Sequence, residues 1–223
     1  TPFTRGTTVR NGEMDEGWLI AQLVENPDAA AARRDIDTDL ERGASAVWVR
    51  VDPDAIPASK LADVLGDVLF DLAPVHVSSN TDELAAAEAL VAILTASRKE
   101  NISGSLGVDP IGFAALNGGA PDLSVIAKAV ELAKPFPGLR PVVVDASRYD
   151  SMGAGDVAQL AYALATGVEY LRALTDLGLS PDEAFGKILF RVSANTDQFV
   201  TIARLCALRT LWSRVGEVVG VSP

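Results

Sequence analysis

The sequence has one cysteine and one histidine in 223 residues, and both scarcities are exclusions. Cys206 cannot close a disulfide within the chain, which removes the secreted, disulfide-stapled class and makes a reducing compartment, cytoplasmic by default, the expected setting. It falls on the apolar side of a helical pattern and is expected in the core. His76, inside an apolar strand pattern, leaves no second imidazole for a His-pair metal site and no Ser-His-Asp triad assembled within the chain. It is expected as a hydrogen-bonded strand histidine. Positive charge is also in deficit: 19 Lys and Arg stand against 30 Asp and Glu, for a net charge of −11. Nucleic acid and anionic lipid surfaces need clustered cations and are poor partners for such a chain. No apolar run is long enough to span a bilayer, no signal-peptide pattern occurs, and no P-loop is found.

What remains is a chain 48% hydrophobic and 22% charged, enough to bury one sizeable core. It is expected to form a single domain over residues 1–223. Short β-rich runs alternate with long helical patterns. Strands are predicted over 46–51, 75–78, 102–106, 141–144 and 188–192. Helices are predicted over 58–72, 82–97, 123–134, 156–177 and 197–219, with an alanine-rich helix over 27–40 ahead of the first strand. In the helix over 156–177, Val157, Leu160, Ala161, Leu164, Val168, Leu171 and Leu174 recur at steps of three and four, the stripe of a helix packed on a sheet. Ser180-Pro181-Asp182-Glu183 reads as a capping box with proline at the first helical position. Strands separated by covering helices mean parallel βαβ units, so the fold class is α/β with about five such units. A closed (β/α)8 barrel needs eight strands, so five units describe either an open sheet or part of a longer, barrel-forming chain.

The strand ends carry the polar candidates: Ser78, Ser103, Ser105, Asp145 and Ser193. Beyond Asp145 lies Tyr149-Asp150-Ser151-Met152-Gly153-Ala154-Gly155-Asp156, a glycine turn that formally matches G-x-G-x-x-A through Ala158. Dinucleotide binding requires the first glycine directly after the strand. Here eight residues separate Val144 from Gly153, and Asp156 places a carboxylate where a phosphate would sit. The expectation is instead that Asp156 caps the helix. Asp37/Asp39 and Asp63/Asp67 read as solvated faces. Asp145 is the best single carboxylate candidate, with a structural hydrogen bond as its expected role.

Several stretches resemble the methylmalonyl-CoA mutase family, and within it the small, non-catalytic subunit. They are Pro2-Phe3-Thr4-Arg5-Gly6, Asp39-Leu40-Glu41-Arg42-Gly43, Arg50-Val51-Asp52-Pro53-Asp54-Ala55-Ile56, Leu106-Gly107-Val108-Asp109-Pro110-Ile111 and Gly153-Ala154-Gly155-Asp156. Gly167-Val168-Glu169-Tyr170-Leu171-Arg172-Ala173-Leu174 and the block from Asp197 through Arg209 and Trp212 continue it, so the likeness runs along almost the whole chain. The resemblance implies a TIM-type (β/α)8 barrel, here about five units of it, with the rest of the barrel and a cobalamin-type domain outside the chain. In this family the large subunit threads coenzyme A down a barrel lined by small polar residues and holds adenosylcobalamin. Ser78, Ser103, Ser105, Asp145 and Ser193 would be the vestige of that lining.

The departures from the catalytic pattern decide the function expected. Where catalytic chains read Tyr-His, this chain reads Tyr149-Asp150, and an anion there repels a thioester oxygen instead of polarising it. No aromatic occupies 7–17, where catalytic chains carry a tyrosine. Gly107-Val108-Asp109 replaces Gln-Asn-Asp, and Asn117-Gly118-Gly119-Ala120-Pro121 replaces an arginine-bearing loop; the Asp-x-His-x-x-Gly cobalt-ligand motif is also absent, but it would lie beyond Pro223 and so says little. The expectation is therefore a catalytically inactive small subunit that binds no cofactor itself and stabilises a catalytic large subunit as a heterodimer. The alternatives are an active acyl-CoA mutase or other barrel enzyme using Tyr149 and Asp145, and a small-molecule binding module.

Overall fold

A computed structural model describes residues 18–221. The resemblance block at residues 2–6 and the aromatic-free stretch 7–17 lie outside the described residues. Two compact units are described below in turn, residues 18–143 and residues 144–221.

The first unit runs β1 (Ala21–Val24), α1 (Ala29–Glu41), β2 (Ala46–Arg50), a 3₁₀ turn (Ala58–Lys60) continuing into α2 (Leu61–Leu65), β3 (Val75–Ser78), α3 (Glu83–Ser97), β4 (Ser103–Val108), α4 (Pro110–Asn117) and α5 (Val125–Ala133). β5 (Gly138–Asp145) follows and crosses into the second unit, which continues with α6 (Ala146–Ser151), α7 (Asp156–Asp176), α8 (Pro181–Gly186), β6 (Ile188–Arg191) and α9 (Gln198–Val219). The strands lie in the order β1-β2-β3-β4-β5-β6, and the pairs from β1–β2 to β4–β5 are parallel. The α/β class and the parallel sheet stand as expected, and the sheet is open, with β1 and β6 as its edges.

Among the described residues the strands number six, not five. β1 escaped the sequence reading because it is four residues long and only Val24 is buried, so no apolar alternation marks it. The helix expected over 58–72 is also shortened. α2 stops at Gly66, whose φ of 41° ends the helix, and the chain then turns toward β3. α4 was missed because Asp109-Pro110 looks like a loop. The Asp109 carboxylate caps the Gly112 N–H at 3.1 Å while proline takes the first turn, so the pair starts a helix.

On one face of the first unit's sheet, Val47, Val49, Val75, Val77, Leu106 and Val108 form the core with Ile36 of α1, Leu61 of α2, and Leu90 and Leu94 of α3. The strands approach closely at Gly104 and Gly107. A Cβ on either would run into the backbone of Val75 or Val77, and both have positive φ.

In the second unit, α7 departs from the expected stripe. Its buried residues are Gln159, Ala163, Thr166, Gly167, Tyr170, Leu171 and Leu174, while Val157 is 83% exposed. Only the C-terminal half keeps the predicted phase. At the middle of the helix small and polar residues face inward because bulky rings lie opposite. Thr166 meets the Tyr149 hydroxyl at 3.0 Å, and Gly167 lies against Phe190 and Trp212. Trp212 in turn stacks on Phe185 and meets Phe190 edge-on, each at 4.7 Å between centroids. The Ser180–Glu183 capping box is present with Pro181 at its start, as expected. Cys206 is half-buried, short of the expected core position, and reduced.

Candidate functional site

Parallel strands deliver their C-terminal ends, and the loops that follow, to one face of the sheet, where βα proteins place their chemistry. In the first unit that face is dominated by Asp52, directly after β2. Its buried carboxylate accepts from Ser79 Oγ at 2.7 Å, Thr81 Oγ1 at 2.8 Å, and the N–H groups of Asn80 and Thr81 at 3.0 and 3.1 Å. Arg50 Nη1 adds a contact at 3.0 Å and also reaches Asp54, while its Nε donates to Glu25 at 2.8 Å. Burial alone would push the Asp52 carboxyl up. The hydrogen bonds from Ser79, Thr81, Asn80 and Arg50 together outweigh that and hold it below the ordinary aspartate range. The guanidinium of Arg50 loses hydration but gains three carboxylates, and its affinity for the proton rises. One strand further on, Glu83 accepts the Asp109 N–H at 2.8 Å, tying the start of α3 to the end of β4. These carboxylates serve as loop anchors. Sequence reading missed them as site residues, although Asp52 at a strand end and Thr81-Asp82-Glu83 ahead of an apolar run carry the signal.

The expected polar lining lies on the sheet face opposite the helix-covered core. The register aligns Trp48 with His76 and His76 with Ser105 in one row, and Arg50 with Ser78 in the next. Ser78 Oγ accepts from Trp48 Nε1 at 2.9 Å, and Ser105 Oγ lies 2.9 Å from His76 Nδ1. Each serine is thus occupied by a larger neighbour from the preceding strand. His76 is the hydrogen-bonded strand histidine the sequence suggested. Ser103 opens β4 half-buried.

The remaining candidates belong to the second unit. Asp145 ends β5 with its oxygens committed: Arg191 Nη1 at 2.8 Å, Arg148 Nε at 3.8 Å, and the Ser147 hydroxyl. One carboxylate oxygen faces the two guanidiniums and the other faces Ser147, so both oxygens already have partners within the chain. Tyr149 is buried, its hydroxyl on Thr166 and its ring edge-on to Tyr162 at 5.4 Å. Asp150 sits half-buried near the end of α6. Gly153, with φ of 94°, makes the turn into α7. Asp156 does not cap that helix: Gly155 is the N-cap and makes no side-chain bond. Arg204 of α9, almost fully buried, takes Asp156 Oδ1 at 2.8 Å and donates to the Ser193 carbonyl, so Ser193 contributes its backbone here. A buried guanidinium needs an acid, and Asp156 is within its reach; that pairing displaces the cap.

Among the described residues, no group of three or more His, Cys, Asp and Glu side chains could hold a metal ion. No described helix is long and apolar enough to cross a membrane.

The geometry is thus a set of βα-loop anchors around strand ends whose polar groups are paired with one another. A family model for methylmalonyl-CoA mutase matches residues 57–220. The chain belongs to the methylmalonyl-CoA mutase family. It is 53% identical over 223 residues to the methylmalonyl-CoA mutase small subunit of Propionibacterium freudenreichii subsp. shermanii, covering 99% of this chain and 35% of that protein. It is 38% identical to the small subunit of Streptomyces virginiae, covering 99% of this chain and 36% of that one. The methylmalonyl-CoA mutase of Cereibacter sphaeroides is 32% identical over 96 residues, 43% of this chain and 14% of that protein. The chain therefore spans about a third of the length of the small subunits it matches.

Proposed function

We propose that this chain is the barrel part of a catalytically inactive small subunit. Its work is to stabilise a large subunit that interconverts methylmalonyl-CoA and succinyl-CoA in the cytoplasm. The observation that carries the reading is the pattern of likeness. Small subunits align along 93–99% of the chain, whereas the Cereibacter mutase aligns along 43%. The site geometry supports it. By the resemblance, Asp150 takes the position of the histidine that donates to a thioester carbonyl in catalytic chains, and a carboxylate offers only acceptors. Ser78 and Ser105 pair with Trp48 and His76, and Asp145 pairs with two arginines, so each is engaged inside the chain and none is reserved for a coenzyme A tail. In this reading Ser103 and Ser193 are likewise vestigial lining.

Adenosylcobalamin would be supplied to the assembled enzyme by the large subunit. The residues of this chain do not fit it: the single imidazole is engaged with Ser105 inside the sheet, and no described cluster suits a metal. The test is calorimetric titration of coenzyme A and methylmalonyl-CoA into the full-length protein, alone and with a catalytic large subunit. Binding only in the presence of the partner, at one site per heterodimer, is expected. Binding to the lone subunit, or turnover of methylmalonyl-CoA by it with adenosylcobalamin, would overturn the reading.

A further inference from the structure

On the same face of the first unit, between the start of α3, the body of α4 and the start of α5, lies a cavity of about 280 Å³. Its walls are apolar and half-buried: Leu84, Phe113 and Val125. Its rim is acidic, with Asp82 and Asp122 both exposed. Next to the lining residue Gly118, Asn117 Nδ2 donates to the Asn80 carbonyl at 3.0 Å and the Phe113 carbonyl at 3.1 Å. That link ties the glycine-bearing loop after α4 to the loop after β3.

We propose that this cavity docks a long basic side chain, arginine or lysine, from a partner polypeptide, with the stem on the apolar walls and the charged head between Asp82 and Asp122. The volume and the chemistry agree. A stem of three or four methylenes suits walls of leucine, phenylalanine and valine, while the head stays at the wet rim. The electrostatic sign must be settled, because helix N-termini repel cations. The starts of α3 and α5 contribute about half a positive charge each, against a full negative charge on each rim carboxylate, so the rim stays net negative. Hydrogen bonds from the Ser124 hydroxyl and N–H hold the Asp122 carboxyl below its ordinary range and keep it ionised. Lys128 is an internal competitor, and it acts on Asp122 through space. A chain of net charge −11 also draws basic partners. This inference does not depend on the identity of the partner, and its test uses none.

The experiment titrates the tripeptide acetyl-Gly-Arg-Gly-amide, and its uncharged isostere with citrulline, into the full-length protein. The readout is the methyl NMR shifts of Leu84, Ala114 and Val125. Arginine peptide is expected to move these methyls saturably, and citrulline peptide to bind at least several-fold more weakly. Asp82→Asn and Asp122→Asn remove charge but keep an amide oxygen for the capping bonds, so the fold is preserved. Each is expected to weaken the arginine peptide by roughly two- to five-fold, the range for exposed ion pairs. Equal binding of the two peptides, or unchanged binding in both variants, would overturn the electrostatic assignment. No methyl shift with either peptide would overturn the site itself.

Discussion

Replacing Asp52 with alanine removes the one acceptor on which five donors of the first unit converge. Ser79 Oγ, Thr81 Oγ1, the N–H groups of Asn80 and Thr81, and Arg50 all point at a carboxylate only 2% exposed. Each buried donor left without a partner costs about 1–3 kcal/mol, and the loop after β3 can turn some of these groups toward water. The expected loss is about 3–5 kcal/mol, the range for removing one partner of a buried charged network. Asp52→Asn keeps one acceptor oxygen but turns an NH₂ group toward donors, so it should cost about 2–3 kcal/mol. Urea unfolding followed by far-ultraviolet circular dichroism measures both. The pH dependence gives a second, independent reading. Because the folded carboxyl lies below its unfolded value of about 3.9, its contribution is fully present above that value and disappears as pH falls through the folded pKa. The gap between the native protein and Asp52→Asn should therefore be constant near neutrality and narrow under acid. An Asp52→Ala variant that loses less than about 1 kcal/mol would show that the converging hydrogen bonds do not hold the loop.

Three other outcomes follow from the second unit. Gln159 is buried on α7 with neither its amide nitrogen nor its oxygen partnered, so Gln159→Met should raise the unfolding midpoint by removing an orphaned amide, a gain of about 1–2 kcal/mol in the same denaturation assay. Gly167→Ala would place a methyl 2.7 Å from the Phe190 ring and 3.0 Å from Trp212, so it should cost about 1–3 kcal/mol by overpacking and shift the near-ultraviolet signal of Trp212. Asp150→His restores a donor at the turn but leaves Tyr149 on Thr166 and Asp145 between two arginines, so a methylmalonyl-CoA turnover assay of this variant should show no activity.

The long elements were legible because their signals are local. The Ser180 capping box, the valines of β2 and β3, and the glycine turn into α7 all follow from neighbours in sequence. The failures share a cause in groups far apart along the chain. β1 is a strand because Leu23 pairs with Trp48, not because its own four residues alternate. The inward face of α7 is set by Tyr149, Phe190 and Trp212, which no periodicity within the helix reveals. Asp156 has the position of a cap, yet its partner lies 48 residues on, at Arg204. The candidate site divided in the same way. The serines were found because small polar residues at strand ends are conspicuous. Their engagement by Trp48 and His76 needs the register, which a sequence does not state.

On the proposed reading of this chain as an inactive scaffold, its polar strand ends are reassigned and not deleted. A working carboxylate or serine at a strand end must keep a lone pair or proton unspent, and an unspent buried polar group costs stability. Once substrate no longer repays that cost, the cheaper arrangement is internal pairing. Asp145 with Arg148 and Arg191, Ser78 with Trp48, and Ser105 with His76 all have that form. The same logic explains why the strand ends stay polar: the groups now hold loops and strands together, so replacing them with apolar residues would strand their partners. A scaffold derived from an enzyme should therefore keep the enzyme's polar outline while its atoms answer to one another. Gln159 and the Arg204 Nε, buried at α7 and unpartnered among the described residues, are the exceptions to that pattern of internal pairing.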